Sequence, residues 1–501
     1  MRSFRYVTCL EKSRLYPSLS SSQFMPSSLS VKELSHNSAD SHDTGVGGDS
    51  SGWMDYINRL VGVEAIRSCK FAGRAIIARD RAAGARLMKV PEVEPVQEVA
   101  LSGLHEMLPN DRQDCAVVLD GVLNVCGDMH AVLRELHGRL SRSSRVVCIV
   151  FNSYLRPLYA LLQFLGLRTA KVPTTFLTFA DLQDIAKASG FEVVRARPSG
   201  YVPWRLFGIG DLCNMVLPTV PLLRWAAYAT VITLRPIQPD QGRPLLSVVV
   251  PVRNERGNVR QLFSELASLR ESGLPLEAIF VEGHSLDGSL EELRAARDEW
   301  ADRLPVTIER QPGEGKADAV RAGLALAQGE LLTIFDADLT VDSSTIRRMY
   351  ESYLSGAGEF INGSRLVYPH QPGAMRFLNT VGNVFFSKCV SAVLGIRLSD
   401  SLCGSKLFSR RDYARMESWR NDFGALDPFG DFDLLFAAAD LGLEILNVPV
   451  RYESRKYGTT NIARFRHGLQ LLKMVAIGFL RISMGTRVPR QPPSKQAQRQ
   501  G

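Results

Sequence analysis

The sequence predicts an α/β protein built as two domains, and three observations carry that prediction. The chain has 501 residues, more than one hydrophobic core ordinarily serves, so two domains of roughly 200 residues each are the natural division. Apolar strand-like runs alternate with helical patterns from about residue 55 to 236, and a second alternating series begins at Leu245. Between them, Arg235-Pro236-Ile237-Gln238-Pro239-Asp240-Gln241-Gly242 reads as a linker, because its prolines and glycine interrupt both periodicities.

Composition narrows the class. Apolar residues make up 45% and charged residues 22%, which is ordinary globular composition. The formal charge of +8 is a mild basic excess. It suits phosphorylated substrates or an anionic membrane surface without requiring either, and nothing points to nucleic acid. The eight cysteines are scattered, with no C-x-x-C pair and no histidine cluster nearby. That pattern argues against structural zinc and a disulfide framework and favours a reducing, cytoplasmic compartment. The most apolar stretches are 214–234, interrupted by two prolines and an arginine, and 468–484, broken by Lys473 and Arg481. Neither gives the run of about 18 apolar residues that a spanning helix needs. Residues 1–39, with Arg2, Arg5, Lys12 and Arg14 among many serines, are expected to be a disordered tail rather than a transit peptide. Residues 483–501 form a second, basic tail with at most a weak attraction to anionic lipid. The expected domains are therefore 40–236 and 244–482, joined by 237–243.

The second half is the more informative. Leu245-Leu246-Ser247-Val248-Val249-Val250 predicts a strand buried on both faces of a parallel sheet. It ends at Pro251-Val252-Arg253-Asn254-Glu255, and a helix follows with Leu262, Phe263, Leu266 and Leu269 on one face. Ala278 to Val281 is the next strand, delivering Glu282-Gly283-His284-Ser285-Leu286-Asp287-Gly288-Ser289. A third unit carries Gly315-Lys316-Ala317-Asp318-Ala319 into a helix over 320–327, and strand 331–335 ends in Asp336-Ala337-Asp338. Ligands of open α/β sheets bind outside the carboxyl ends of the strands, the edge where all these polar clusters fall. One strand-end carboxylate could simply cap a helix; a succession of loaded strand ends is hard to explain that way.

Asp336 and Asp338 flank a small residue directly after a buried strand. Carboxylates so close repel each other unless a counter-charge is present. A hard divalent cation, Mg²⁺ or Mn²⁺, is the usual solution and completes its shell with substrate phosphate oxygens. The bland reading is a capped turn, since D-x-D is common by chance.

With these motifs in place, residues 244–482 resemble the family 2 inverting glycosyltransferases of the GT-A fold, most closely the dolichyl-phosphate mannose synthase-like branch. The resemblance implies a nucleotide-diphospho-sugar donor, a divalent metal held by Asp336 and Asp338, and an acceptor such as a polyprenyl phosphate. Pro251, Asn254, Glu255 and Glu282 match the nucleotide-recognition edge, and Lys316 lies on the same edge. Asn362-Gly363-Ser364-Arg365 resembles the G-S-R turn whose arginine contacts phosphate, and Arg376 and Thr380 occupy the positions of a second phosphate-binding pair. Asp400, Gly404 and Lys406 fit a D-x-x-x-G-x-R/K element beside the site. Gly430-Asp431-Phe432-Asp433 stands where the family places acidic residues on the acceptor side. Residues 449–461, with Arg455, Tyr457 and Gly458, resemble the segment that closes over the donor phosphates.

Departures from the family pattern are equally legible. Glu282-Gly283-His284-Ser285 replaces D-D-G-S, Thr340 stands in for a glutamine after the metal motif, and Asn461 replaces the closing lysine. Phosphate neutralisation then leans on Arg455, Arg464 or Arg466.

The chemistry follows from charge. A departing nucleoside diphosphate gains negative charge, and preorganised cations such as Arg365, Arg376 and the metal lower the barrier. A phosphate acceptor is already anionic; a hydroxyl acceptor needs a base, for which Asp431 is the better candidate and Asp433 the second. Either acid could instead serve only as favourable charge at a helix N-terminus. The run 465–482, apolar with basic flanks, has two readings: peripheral contact with the cytoplasmic membrane face, or packing within its own domain.

The first half resembles, over 40–236, the Rossmann-like class I AdoMet-dependent methyltransferases. Gly45-Val46-Gly47-Gly48-Asp49 would be the glycine loop and Glu64 the ribose-binding acid, with later strands at 115–120, 145–151 and 191–194, a helix over 128–140 and a final antiparallel strand at 226–234. No apolar strand precedes Gly45, and Asp49 sits where a third glycine is usual. Two readings therefore stand, a working S-adenosylmethionine site and a degenerate structural domain. For the whole chain, sugar transfer competes with methylation aided by a sugar-nucleotide-binding domain, and with a non-catalytic scaffold.

Overall fold

The structure is a computed structural model that describes residues 52–69, 72, 74–79, 96–108, 114–166, 175, 177–369, 377–416, 427, 430, 432–455, 457 and 464–484. Two sheets organise them.

The first sheet takes its strands from residues 75–236. Helix α1 (Gly52–Arg67) precedes β1 (Ala75–Arg79), β2 (Val96–Ala100) and β3 (Ala116–Asp120). Helix α2 (Met129–Arg139), β4 (Arg145–Phe151), helices α3 (Arg156–Phe164) and α4 (Phe179–Ala188), β5 (Phe191–Ser199), α5 (Ile209–Val216) and β6 (Ala229–Pro236) follow. The strand order is β2-β1-β3-β4-β6-β5, parallel except that β6 runs antiparallel to both its neighbours. Strands β3 and β4 are buried along their whole length, as continuous apolar runs covered on both faces should be. Asp128 caps α2 by accepting from the Ala131 N–H, and Thr178 and Asp181 form a reciprocal capping box on α4.

The strands and helix expected at 115–120, 128–140, 145–151, 191–194 and 226–234 are present, while β1 and β2 escaped the sequence reading. The cofactor expectation is corrected. Gly45 and Gly47 lie outside the described residues. Glu64 stands inside α1 rather than at a strand end, because Ile57, Val61 and Ala65 recur at helical spacing and bury one face of that helix. Its carboxylate is buried and committed to Arg195 at 3.0 Å, with Arg197 at 3.6 Å, so it cannot read a ribose. Among the described residues nothing supports an S-adenosylmethionine site or a methyltransferase-type domain at this end of the chain.

The second sheet is built from β7 (Leu246–Val252), β8 (Leu276–Glu282), β9 (Val306–Arg310), β10 (Leu331–Ile334), β11 (Phe360–Ser364), β12 (Lys406–Ser409) and β13 (Ile445–Pro449). The helices between them are α6 (Val259–Glu271), α7 (Ser289–Glu299), α8 (Lys316–Leu326), α9 (Ser344–Leu354), α10 (Phe377–Leu394), α11 (Arg410–Arg415) and α12 (Phe432–Asp440), and α13 (Arg464–Met484) ends the described chain. The order is β13-β11-β12-β10-β7-β8-β9, with β12 alone antiparallel among these strands.

Period-two alternation divides the core. Val248, Val250, Ala278 and Phe280 join Leu262, Phe263 and Leu266 of α6 on one face. Val249, Ile279 and Val281 face Ala319, Val320 and Leu324 of α8 on the other. Because β12 runs against its neighbours, its first residue, Lys406, pairs with Ile334 at the carboxyl end of β10. Strand ends and one strand start thus meet on a single edge.

Arginines of the first unit cross to acids and carbonyls of the second. Arg145 of β4 holds Glu359 with two bonds of 2.8 and 3.0 Å and donates to the Gly442 carbonyl at 2.9 Å. The wholly buried Arg235 donates to the Gly356 carbonyl at 2.7 Å and pairs with Glu192. Arg142 donates to the carbonyls of Tyr353 and Gly358 and lies 4.1 Å from the Tyr353 ring centre. Among the described residues no helix is long and apolar enough to cross a membrane.

Candidate functional site

The loop after β7 turns at Asn254, whose φ of +56° is left-handed, a conformation asparagine tolerates better than most residues. Its Oδ1 accepts from the Leu286 N–H and its own N–H donates to the Ser285 hydroxyl, each at 2.9 Å. The β7 and β8 loops are thereby knitted together, with Pro251 and Asn254 on the expected edge. Glu282, read as a nucleotide contact, is sealed from solvent. Burial opposes its ionisation, but the Ser285 N–H and hydroxyl and Arg310 outweigh that and hold its carboxyl below the usual range. It braces the loop here and presents no oxygen to a ligand.

Asp336 and Asp338 emerge from β10 as expected, and both face cations. Lys316, at the start of α8, places its Nζ 2.6 Å from Asp336 Oδ1. Burial raises the cost of charge on Asp336, yet Lys316, Arg365 and Lys406 together keep its carboxyl below the ordinary value. Gly404 makes this approach possible, since a Cβ there would sit 2.4 Å from Asp336 Oδ2 and 2.6 Å from Lys316 Nζ. Lys406 is fully buried and donates its Nζ to the Cys403 carbonyl. Asp338 accepts from the Thr340 hydroxyl at 2.8 Å and pairs with Arg455 at 2.7 Å.

Arg455 reaches this position because Tyr452 bridges Val341 and Glu453 donates its N–H to the Thr340 carbonyl at 2.8 Å. Its second nitrogen lies 2.8 Å from Glu255 Oε1. One guanidinium therefore ties the β7 loop to the D-x-D turn. Burial pushes the Glu255 carboxyl up to about 7 despite Arg455. The Tyr457 ring packs against Gly257, where a Cβ would be 2.6 Å from it. Residues 450–455 and Tyr457 thus lie over the loop that follows β7.

The second cation is placed differently from expectation. Arg365 closes a bidentate pair with Asp400 at 2.8 and 3.0 Å, and its backbone N–H donates to the same carboxylate. Burial works against its charge, but Asp400 more than compensates and raises the guanidinium's affinity for its proton. Arg365 therefore acts on the Asp336 side through its field while anchored to Asp400, rather than as an unengaged phosphate hook. Thr380 lies half-buried in the first turn of α10. Arg376, Asp431 and Gly458 lie outside the described residues, as do Asn461 and the side chains of Arg464 and Arg466.

Asp433 is buried in the first turn of α12, with Oδ1 accepting from the Leu434 N–H at 2.7 Å. Sequence reasoning missed Asp427, which accepts from the N–H groups of Gly430, Phe432 and Asp433 at 2.9 to 3.0 Å and so organises the start of α12. Its signal was available as an Asp shortly before an apolar helical run. Gly430 rests against Ala317, where a Cβ would be 3.3 Å from the Ala317 Cα.

The donor set fits a hard divalent cation. Two carboxylates at one strand end already each hold a positive group from another element. Among the described residues no cluster of three or more His, Cys, Asp or Glu side chains stands ready to hold a metal. Mg²⁺ or Mn²⁺ there would take Asp336 and Asp338 and complete its shell with phosphate and water oxygens.

Part of the chain is similar in sequence to known glycosyltransferases. Residues 247–414 match the model of glycosyl transferase family 2. The low-salt glycan biosynthesis hexosyltransferase Agl6 of Haloferax volcanii is 26% identical over 237 residues, 47% of this chain and 54% of that protein. A dolichol-phosphate mannosyltransferase of Pyrococcus furiosus is 32% identical over 24% of this chain and 33% of its own length. An undecaprenyl-phosphate 4-deoxy-4-formamido-L-arabinose transferase of Aeromonas hydrophila is 28% identical over 45% and 66%. The chain thus spans between a third and two thirds of the length of these relatives. Among solved structures, glucosyl-3-phosphoglycerate synthase from Mycobacterium tuberculosis aligns at 18% identity over 47% of this chain and 78% of that one, with a TM-score of 0.36. Residues 247–414 are thus similar to glycosyl transferase family 2, and Lys316, Asp336, Asp338, Arg365 and Asp400 of the candidate site fall within them, whereas Arg455 lies beyond.

Proposed function

We propose that the C-terminal half is an inverting glycosyltransferase that moves a sugar from a nucleotide-diphospho-sugar to an acceptor, with a polyprenyl phosphate as the favoured acceptor class. The observation that carries this reading is the pair Asp336 and Asp338 at one strand end, ringed by Lys316, Arg365, Lys406 and Arg455. Such a ring suits a polyanionic diphosphate held together with a cation. Two matched relatives bear names of lipid-phosphate sugar transferases, which supports the acceptor class.

A divalent ion bound by Asp336 and Asp338 would supply Lewis acidity to the leaving diphosphate. The chain's own residues do the rest. Pro251, Asn254 and Glu255 form the nucleotide edge, and residues 450–455 with Tyr457 cover it. Lys316 and Arg455 stand where charge grows on the leaving group, and cations fixed in advance need no reorganisation as it forms. A phosphate acceptor attacks as an anion without a base. For a hydroxyl acceptor, Asp431 takes the proton, with Asp433 second. The exposed Leu469, Leu472 and Leu480 of α13 favour peripheral contact with the cytoplasmic membrane face.

The test is a panel of nucleotide sugars with Mn²⁺, read by thermal shift and by donor hydrolysis or transfer. Asp338→Ala should lose the metal-dependent turnover; turnover equal to wild type would refute the assignment.

A further inference from the structure

We propose that a cavity in the N-terminal unit, between α1, the end of β5 and α5, binds the phosphate group of an amphiphile. It measures about 460 Å³ and is lined by Arg67, Arg197 and Glu64 on one side and by Leu60, Leu212 and Met215 on the other. This site is separate from the strand-end site and does not depend on its chemistry.

The charge balance carries the inference. Arg195 and Arg197 stand 3.0 and 3.6 Å from the same oxygen of Glu64, and Arg67 stands 3.6 Å from the other. Arg224 is near enough to weigh on Arg197, whose deep burial pushes its guanidinium down to about 10. Three guanidinium groups share one carboxylate, with the fourth, Arg224, close enough to add to the positive field. Asp211, also on the cavity wall, accepts from the Tyr56 hydroxyl at 2.6 Å. Arg195 and Arg197 are more than nine-tenths buried. Packing excess cations out of water is costly unless anions repay it.

The donors point the same way. Behind the lining residue Arg197, the Nε–H groups of Arg195 and Arg224 and the hydroxyl of Tyr201 are buried without an acceptor among the described residues. A phosphate group brings several acceptor oxygens and negative charge together, and the planar guanidinium fork matches its geometry. The apolar wall and its surroundings specify the remainder of the ligand. Leu206, Phe207, Ile209 and Leu222 are exposed beside α5, with Phe207 projecting fully from a left-handed turn at φ +55°. A free inorganic anion has no use for that wall; a phosphate ester with an apolar chain does. Arg67 also donates to the Ile482 carbonyl of α13 at 3.3 Å, and Arg197 to the Val393 carbonyl of α10 at 3.1 Å. The ligand would therefore sit where the two units meet.

The full-length protein is tested with inorganic phosphate, soluble alkyl phosphate, and phosphatidylcholine vesicles with and without phosphatidic acid, read by thermal shift and vesicle flotation. Saturable binding of alkyl phosphate, or flotation that requires phosphatidic acid, is expected; the first identifies a soluble ester and the second a lipid headgroup. Arg67→Gln and Arg224→Gln should each weaken it by roughly tenfold or more, about 1.4 kcal/mol. Leu212→Glu, an exposed change that puts negative charge on the wall without touching the buried cluster, should do the same. Binding that is absent for every probe, matched by inorganic phosphate alone, or undiminished in the three variants overturns the proposal. A response that survives Arg67→Gln but vanishes in Asp338→Ala belongs to the strand-end site and also overturns it.

Discussion

One added methyl group at Gly404 tests the strand-end site without altering any charged side chain. The alanine Cβ would lie 2.4 Å from Asp336 Oδ2 and 2.6 Å from Lys316 Nζ, whereas ordinary contact begins at 3.4 Å. The carboxylate and the ammonium must each retreat by about 1 Å, and their own 2.6 Å contact must be remade elsewhere. Displacement of that size at a reacting centre costs on the order of 10²-fold in rate, or about 2.7 kcal/mol of transition-state stabilisation. Gly404 is not among the positive-φ positions, so alanine there brings no left-handed strain. The expected outcome for Gly404→Ala is kcat/KM for Mn²⁺-dependent donor turnover reduced by roughly 100-fold, with the melting temperature nearly unchanged. Turnover close to wild type would refute the placement of Asp336 and Lys316 in the reacting centre, and a collapse in melting temperature would show that the pair serves the fold instead.

Two further predictions concern the join between the sheets. Arg145→Ala leaves the buried Glu359 carboxylate without its bidentate partner and should cost about 3–5 kcal/mol, visible as a drop of roughly 10 °C in the melting transition; adding Glu359→Gln should recover part of it, and an unchanged transition would contradict the buried pair. Burial, reinforced by Glu192 and Glu359, pushes the Glu444 carboxyl up to about 8. The folded state then keeps a proton that the unfolded chain releases near its ordinary value, so this contribution to stability is complete below about pH 4.5 and is lost as pH rises to about 8. Glu444→Gln should flatten the pH dependence of the melting temperature across that window; an identical profile would remove Glu444 as its source.

What the sequence revealed was local. Asp336 and Asp338 were legible because a buried strand, a turn and two acids are contiguous, and the Leu245–Val250 run announced its two-sided burial through composition alone. Contacts across distance were not. Glu255 and Arg455 were both singled out, yet nothing in 200 intervening residues said that one guanidinium would join Glu255 to Asp338. Arg365 and Asp400 were likewise read as separate site elements, and only the antiparallel placement of β12 beside β11 brings them together. Glu64 failed for a different reason. Val61-Gly62-Val63 looks extended in isolation, but the buried positions of α1 recur at helical spacing, and packing against the sheet decides the matter. Strand β1 offers only Ile76 and Ile77 as large apolar residues and β2 carries Gln97 and Glu98 at its centre, so neither stands out as β3 does.

Arg142, Arg145 and Arg235 give the N-terminal unit a role that needs no chemistry of its own. They supply the positive charge that Glu359 and the backbone carbonyls around 353–358 and 442 would otherwise lack. A fragment starting after residue 243 would carry those acids and carbonyls on a newly bared face with their counter-ions amputated. Minimal versions of the transferase domain therefore call for recoding Glu359 and Glu444 to neutral side chains before the upstream half is removed.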